Sequence, residues 1–344
     1  MIVRAKAPLR IGLAGGGTDV SPYSDKYGGF ILNVTLDMFA YATIQTRDDD
    51  KICFAAQDIE QKYTQNIQDE LIVEDELILH KAIYKRVIQD FNGGKPIALD
   101  IITFSDAPPG SGLGSSSTMV VAILAAFREL LKLPLGEYDL AHLAYEIERE
   151  DCKLSGGKQD QYAATFGGFN FMEFYQDRVL VNPLRIRNDI QNELESQIIL
   201  YFTGLSRDSG KIIDDQIKAS TKTDSDKSLE ALHKVKQSAF EMKECLLRND
   251  IEGMSRVLEA SWLAKKSTSS SISNSYIEEV ASMAIENGAK SLKLSGAGGG
   301  GFMMLFVDPV DKQPLIKKLK QTSGQVHNFQ FTNFGVKAWT VHNI

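Results

Sequence analysis

Residues 108–117 of this 344-residue chain read Pro-Pro-Gly-Ser-Gly-Leu-Gly-Ser-Ser-Ser, and no other stretch restricts the local structure so tightly. A β-branched apolar run, Ile97–Phe104, precedes it, and an apolar segment, Thr118–Phe127, follows, so the spacing predicts strand, glycine loop and helix. Gly110, Gly112 and Gly114 give the backbone conformations closed to other residues and let it approach a ligand closely. Ser115, Ser116 and Ser117 then fall in the first helical turn, where N–H groups have no intrahelical partner and the helix dipole is positive. Such a terminus is an anion site, most naturally for phosphate. The candidate phosphate-binding residues are Pro109, Gly110, Gly112, Leu113, Gly114, Ser115, Ser116 and Ser117. A serine hydroxyl here also suits Mg²⁺, which takes hard oxygen ligands and bridges phosphates.

Two familiar phosphate loops are excluded. A P-loop needs Lys-Ser/Thr after its last glycine, and this loop has no lysine. The dinucleotide pattern GxGxxG fails because Gly110, Gly112 and Gly114 are spaced GxGxG. An ordinary strand-to-helix turn with a serine cap needs one or two glycines, not three followed by three serines.

Three further stretches carry chemistry. Ala7–Asp19 ends in Gly15-Gly16-Gly17-Thr18-Asp19, a loop whose glycines admit a ligand and whose Thr18 and Asp19 suit sugar hydroxyls, an ionised carboxylate being an acceptor only. Arg10 in the same stretch is a permanent cation suited to phosphate. Glu148 stands on a helix 12 residues before Asp160, with Ser155-Gly-Gly-Lys158-Gln159 between them. Glu148 can hold Mg²⁺, although Glu146 and Glu150 offer the same chemistry by sequence alone, and Asp160 can accept or orient a hydroxyl attacking a γ-phosphate. Ser155-Gly-Gly-Lys158 matches SxxK formally, but no SDN or KTG partner exists. In Ser295–Gly301, Gly296, Gly298 and Gly301 fit GxGxxG, yet Phe302–Val307 reads as a strand rather than a helix. A backbone loop pressed against ligand or against the central loop is the expectation there. Arg207, flanked by hydroxyls after the run Tyr201–Gly204, suits a phosphoryl group on the acceptor, with Lys158, Lys265 and Lys266 as rivals.

Length predicts about two domains at roughly 100–200 residues each. A net charge of −7 argues against nucleic acid or anionic membrane as a bulk partner. Three scattered cysteines without a CxxC pair point to a reduced, cytoplasmic protein with no cysteine metal site. The longest apolar run, Met119–Phe127, is nine residues and too short for a bilayer. Strands are predicted at 2–13, 30–45, 51–56, 97–104 and 197–202, with a hairpin over 168–186. Helices are predicted around 77–91, 118–127 and 140–147, over a tract from 210 to 266 broken near 221–226 and 249–250, and around 277–285 and 309–320. Two strands flank the last glycine run, and a strand at 336–341 closes the chain. Without a strict βαβ repeat this pattern is α+β, and the polar segment 188–196 separates residues 1–188 from 189–344.

The three glycine loops together resemble the GHMP kinase superfamily, small-molecule kinases that include galactokinase and mevalonate kinase. The family's first motif resembles Ala7–Asp19, its phosphate loop Pro108–Ser117 and its third motif Leu294–Gly301. The resemblance covers essentially the whole chain. It implies an N-terminal domain like ribosomal protein S5 domain 2, a ferredoxin-like C-terminal domain, and an active site between them using ATP and Mg²⁺. It further implies Ser116 and Glu148 as magnesium ligands and Asp160 as the catalytic aspartate; Arg10, on its charge, is counted with Asp160 among the catalytic residues. Gly16, Gly17, Thr18, Asp19, Lys158, Gln159, Arg207 and Gly298 are implied on the acceptor side.

Within the superfamily, Pro8–Tyr23, Gly28–Asn33, Ser155–Phe171, Tyr201–Arg207 and Ile272–Asn274 resemble the bacterial branch acting on D-glycero-D-manno-heptose 7-phosphate. That branch implies phosphorylation of the anomeric C1 hydroxyl, giving the 1,7-bisphosphate on the GDP-heptose route to surface polysaccharide. Gly16-Gly17 replaces the glutamate and histidine of the galactokinase signature, which lowers galactose as an acceptor. The rival is a 1-kinase for an unphosphorylated sugar such as L-fucose. A silent sugar-binding regulator on the same scaffold is disfavoured by the presence of Ser116, Glu148 and Asp160. The partners implied are a small-molecule sugar phosphate and ATP, with no nucleic acid and no membrane; a homo-oligomer is compatible with the sequence.

Overall fold

The structure is a computed structural model and describes residues 1–205, 209–221 and 226–342. Strands β1 (Ile2–Ala14), β2 (Gly29–Thr46), β3 (Lys51–Ala56), β4 (Gln61–Asn66), β5 (Leu99–Ser105), β6 (Phe169–Phe174) and β7 (Val179–Pro183) build a first sheet. Strands β8 (Ile198–Phe202), β9 (Ala289–Leu294), β10 (Phe302–Val307) and β11 (Gln325–His327) build a second, ordered β11-β8-β10-β9 and antiparallel throughout. The last strand, β12 (Lys337–Val341), returns to the first sheet and pairs with β1. The fold is α+β, as expected from the sequence.

β2 is the spine of the first sheet. Its early residues Gly29–Val34 pair with β6, and its later residues Ala40–Thr46 pair with β5. Between them the β1–β2 register shifts from Pro8↔Phe39 to Arg10↔Thr35. Pro8 has no N–H to give a ladder, and a bulge of this kind re-aims the next side chain. Arg10 is the residue re-aimed: its backbone N–H leaves the ladder and bonds the Leu113 carbonyl at 3.1 Å, and its side chain is buried.

Helix Ser115–Leu131 lies against β1 and β2, and every residue from Val120 to Phe127 is almost wholly buried. A helix apolar on all sides must be covered on all sides. The sheet covers one side; helices Ile78–Phe91 and Glu137–Glu146 contribute Val87, Leu140 and Leu143 to the same core. The N-terminal end of this helix, which carries Ser115–Ser117, is therefore held rigidly. A second core joins β1, β2, β8 and β10 to helices Asp226–Arg248 and Ile251–Lys266 through Leu9, Leu200, Met242, Leu258 and Phe302. That core spans both sheets and fixes the two halves of the chain against each other.

Most elements fall where the residue pattern places them; the helix Gln159–Phe166 and the three-residue strand β11 go unforeseen, and two further differences have a clear cause in the sequence. The polar segment 188–196 is a helix, Asn188–Gln197, because Ile190 and Leu194 share a face and are buried. β4 goes unforeseen because its six residues, Gln61–Asn66, alternate exposed and half-buried positions with scarcely an apolar side chain. Among the described residues no helix is long and apolar enough to cross a membrane.

Candidate active site

The three glycine loops converge on one cleft of about 730 Å³. The phosphate loop and the third loop approach backbone to backbone. A Cβ on Gly112 would lie 2.5 Å from the Ser295 carbonyl oxygen, one on Gly296 would lie 2.8 Å from the Gly112 Cα, and one on Gly301 would lie 2.3 Å from the Ser111 carbonyl oxygen. Gly112 and Gly296 also have φ of +80° and +73°, conformations that glycine alone adopts readily. The Phe302 N–H donates to the Ser111 carbonyl at 2.8 Å, so the third glycine loop is stitched to the phosphate loop.

Arg10 lies where the loops meet. Its Nε and Nη2 approach Asp160 Oδ1 at 2.7 and 2.6 Å, and its Nη1 donates to the Gly112 carbonyl at 2.6 Å and to Ser295 Oγ at 3.3 Å. One guanidinium thus fixes the Asp160 carboxylate to the phosphate loop and the third loop together, as its planar fork of donors permits. Asp160 keeps its side chain 22% exposed, open to the cleft.

The three serines after Gly114 point to different partners. Ser115 Oγ lies 2.8 Å from Ser111 Oγ and stays within the loop. Ser116 Oγ donates to Glu148 Oε1 at 3.3 Å. Ser117 is buried and accepts from Gln161 Nε2 at 3.1 Å. Gln161 Nε2 also donates to Glu148 Oε2 at 2.5 Å, so the carboxylate is gripped on one oxygen and faces Ser116 with the other. Glu148 stands in a widened π-helical turn, Ile147–Asp151, where the Cys152 N–H reaches back to the Ile147 carbonyl. Such turns shift the phase of a helix and are frequent at functional sites. The shift separates three residues the sequence leaves equivalent: Glu148 is 1% exposed, Glu150 is exposed, and Glu146 lies within 4 Å of Arg86 and His142 on the outer face.

Asp19 is buried in the cleft wall. Its Oδ2 accepts the Gln159 N–H at 3.0 Å, while its Oδ1 has no partner among the described residues. Burial raises its pKa above the usual carboxylate value. A Cβ on Gly157 would lie 1.9 Å from Asp19 Oδ2, so the loop 155–159 can close over this carboxylate only with glycine at 157.

Several residues expected at the site are placed elsewhere. Thr18 faces inward rather than toward a ligand: its hydroxyl bonds the Gly15 and Phe30 carbonyls and accepts the Phe30 N–H. Lys158 turns away from the cleft, donating to the Tyr175 carbonyl at 3.1 Å and lying over the Tyr145 ring. Gly298 packs against Ile272, and Gly296 and Ala297 line the cleft instead. Arg207 lies outside the described residues. Arg10, Gly17, Asp19, Pro109, Gly110, Gly112, Gly114, Ser115–Ser117, Glu148, Gln159 and Asp160 all line the cleft.

Sequence reasoning passed over Gln161, Arg149 and Ser295. Gln161 directly follows Asp160, and its only signal is a polar side chain on the inner face of the short helix Gln159–Phe166. The far end of the cleft is lined by Ala56, Ile59, Leu77, Leu79, His80 and Thr103. His80 Nε2 lies 2.9 Å from Thr103 Oγ1, and burial pushes its pKa down to about 4, so the ring there is neutral at pH 7.

Residues 78–168 match the family model for the GHMP kinases N-terminal domain, and residues 242–324 match that for the GHMP kinases C terminal. Over 98% of the chain and 99% of the relative, the sequence is 50% identical to the D-glycero-alpha-D-manno-heptose 7-phosphate kinase of Campylobacter jejuni. The chain belongs to the GHMP kinase family. As a GHMP kinase it is a phosphotransferase with an alcohol group as acceptor, and it uses ATP. A solved GHMP kinase structure, described as a D-glycero-D-manno-heptose 1-phosphate kinase from Bacteroides thetaiotaomicron, aligns with a TM-score of 0.84 at 44% identity, covering 99% of this chain and 100% of that one. The L-fucokinase/L-fucose-1-P guanylyltransferase of Bacteroides fragilis is 25% identical over 90% of this chain and 35% of its own.

Proposed function

We propose that this GHMP kinase transfers the γ-phosphoryl group of ATP to the anomeric C1 hydroxyl of D-glycero-D-manno-heptose 7-phosphate, in a Mg²⁺-dependent reaction that yields the 1,7-bisphosphate and ADP. The observation that carries the acceptor is the 50% identity, end to end, with a relative whose name specifies heptose 7-phosphate. L-fucose is the second reading, supported by a 25% identical relative.

The residues fit these roles. The N–H groups opening helix Ser115–Leu131 receive the phosphates of ATP. The apolar far end of the cleft, beside His80 and Thr103, takes the adenine. Ser116 Oγ and Glu148 Oε1 are two hard oxygens, and Glu148 is a buried carboxylate whose nearest cation, Arg149, is 4.0 Å away. Such a donor set suits Mg²⁺, which takes few protein ligands and completes its shell with phosphate and water. When bound, the ion neutralises charge on the phosphate oxygens. Asp160 orients the C1 hydroxyl and receives its proton as the new P–O bond forms and the bond to ADP breaks. Arg10 holds Asp160 in place for that role. Asp19, with Oδ1 unpartnered, accepts from an acceptor hydroxyl.

We read residues 1–188 and 189–344 as the two GHMP kinase domains, with β12 crossing back into the first sheet. Three free cysteines and a nucleotide substrate favour the cytoplasm. The test is ADP release, with and without Mg²⁺, across heptose 7-phosphate, mannose 6-phosphate, L-fucose and D-galactose, with phosphorus NMR to locate the new ester. Strong preference for heptose 7-phosphate supports the reading. Preference for fucose replaces the acceptor and keeps the catalytic assignments.

A further inference from the structure

An acceptor that already carries a phosphate needs a cation away from the ATP site. Among the described residues lining the cleft, the permanently or potentially positive side chains other than His80 are Arg10, Arg149 and Lys265. Arg10 is committed to Asp160, Gly112 and Ser295. Arg149 gives its two terminal nitrogens to the carbonyls of Leu154 and Gly157. Lys265 makes a single such contact, with the Gly296 carbonyl, and keeps the rest of its donors.

Lys265 stands in the last turn of helix Ile251–Lys266 and is 6% exposed. Its Nζ donates to the Gly296 carbonyl and forms no ion pair among the described residues. An ammonium has three donors, so two remain for a ligand. Across from it is Gly16. A Cβ at that position would lie 3.9 Å from Nζ, and any longer side chain would cover the ammonium. Beneath it is Lys293, also buried, whose Nζ donates to the Gly12 carbonyl at 2.9 Å. Among the described residues, Arg10 and Asp19 are the titratable groups felt by Lys265, and Lys265 and Arg10 those felt by Lys293. Burial first, then Lys265 and Arg10, push the Lys293 pKa well below the ordinary lysine value, so Arg10 and Lys265 are the cations that face Asp19 and Asp160 here. Burial first and Arg10 second push the Lys265 pKa down to about 8, and Asp19 opposes them only in part. A phosphate monoester, close to dianionic at pH 7, supplies a counter-ion.

We propose that Lys265 is the specificity-determining residue for a phosphorylated acceptor: its ammonium, left uncovered by Gly16, binds the phosphate ester that the reaction leaves untouched. The inference rests on the heptose 7-phosphate reading and names the group that would make that reading selective. It separates the two phosphate sites physically, with ATP on the Ser116–Glu148 side of Arg10 and the acceptor's ester on the Asp19–Gly296 side.

The test compares wild type with Lys265→Met and Lys265→Arg on heptose 7-phosphate and on the same heptose without phosphate, with thermal melting to confirm folding. The expected result is that Lys265→Met raises KM for the ester by about 10- to 100-fold, the loss of a charge-assisted contact, and lowers the ratio of kcat/KM for the ester to that for the free sugar by a similar factor. Lys265→Arg should retain most of the preference. An equal loss on both sugars would overturn the proposal, assigning Lys265 to the transferring phosphoryl group. Unchanged ester preference in Lys265→Met would overturn it too, with the acceptor reading intact. If the wild type itself does not prefer the ester, the acceptor reading fails and Lys265's role falls with it.

Discussion

Arg10 and Asp160 lie 150 residues apart in the chain and meet through two guanidinium nitrogens on a single carboxylate oxygen, at 2.7 and 2.6 Å. The same guanidinium holds Gly112 and Ser295. The position of the candidate catalytic carboxylate is thus tied to the phosphate loop and to the third glycine loop by one side chain.

Asp160→Asn keeps the shape and removes the proton acceptor. Turnover should fall by about 10²- to 10⁴-fold, the usual weight of a positioned acid–base group. ATP affinity, measured by calorimetry, should stay near wild type. Near-normal turnover would remove Asp160 from the chemistry.

Gln161→Leu leaves Glu148 Oε2 and Ser117 Oγ without their donor while touching neither proposed ligand. Groups that orient metal ligands typically contribute about 10- to 100-fold in metal affinity. Mn²⁺ binding in the presence of ATP, followed by electron paramagnetic resonance, should weaken by that order. The acceptor KM should hold. A loss in acceptor KM with unchanged Mn²⁺ binding would argue for a packing role only.

Gly112→Ala places a Cβ 2.5 Å from the Ser295 carbonyl oxygen at a φ of +80°. The left-handed backbone alone costs about 1–2 kcal/mol for a residue with a Cβ. Both glycine loops must then separate. Melting temperature should fall and activity should drop by about 10²-fold, since a shift near 1 Å at a reacting centre has that effect. Gly93→Ala is the control: φ there is also positive, but nothing lies within 4 Å of the added Cβ, so activity should be retained.

pH should act on acceptor binding through Lys265. Its pKa is lowered to about 8, by burial first and by Arg10 second, with Asp19 opposing. Only the protonated ammonium attracts a phosphate. KM for the sugar phosphate should therefore be flat just below about 8 and rise up to about tenfold per pH unit above it. At the acid end it should rise again as the ester's own second proton returns near pH 6. In Lys265→Arg the alkaline rise should vanish, because guanidinium stays charged. A rise that persists in that variant would assign the titration elsewhere.

The sequence by itself determined the strand–loop–helix unit at 97–127, the glycine loops, the α+β class and the family. These are local matters: a glycine run or a 3.6-residue repeat is visible in the order of residues. It also supplied the three carboxylates near 148 without deciding among them. That decision came from the π-helical turn, which buries Glu148 and leaves Glu146 and Glu150 outside. The helix at 188–197 hides in a polar stretch because two buried apolar residues per two turns leave a faint periodic signal. Thr18 and Lys158 look like ligand residues in a string of letters. In space Thr18 closes its own turn and Lys158 bonds the Tyr175 carbonyl, because a side chain's direction follows from backbone angles and neighbours rather than from its chemistry. Lys265 is the converse case. Nothing around it in the sequence sets it above Lys266, yet Lys266 pairs with Glu278 near the surface while Lys265 turns inward beside a bare glycine. Which residues meet across 150 or more positions is set by packing, and only the folded chain decides it.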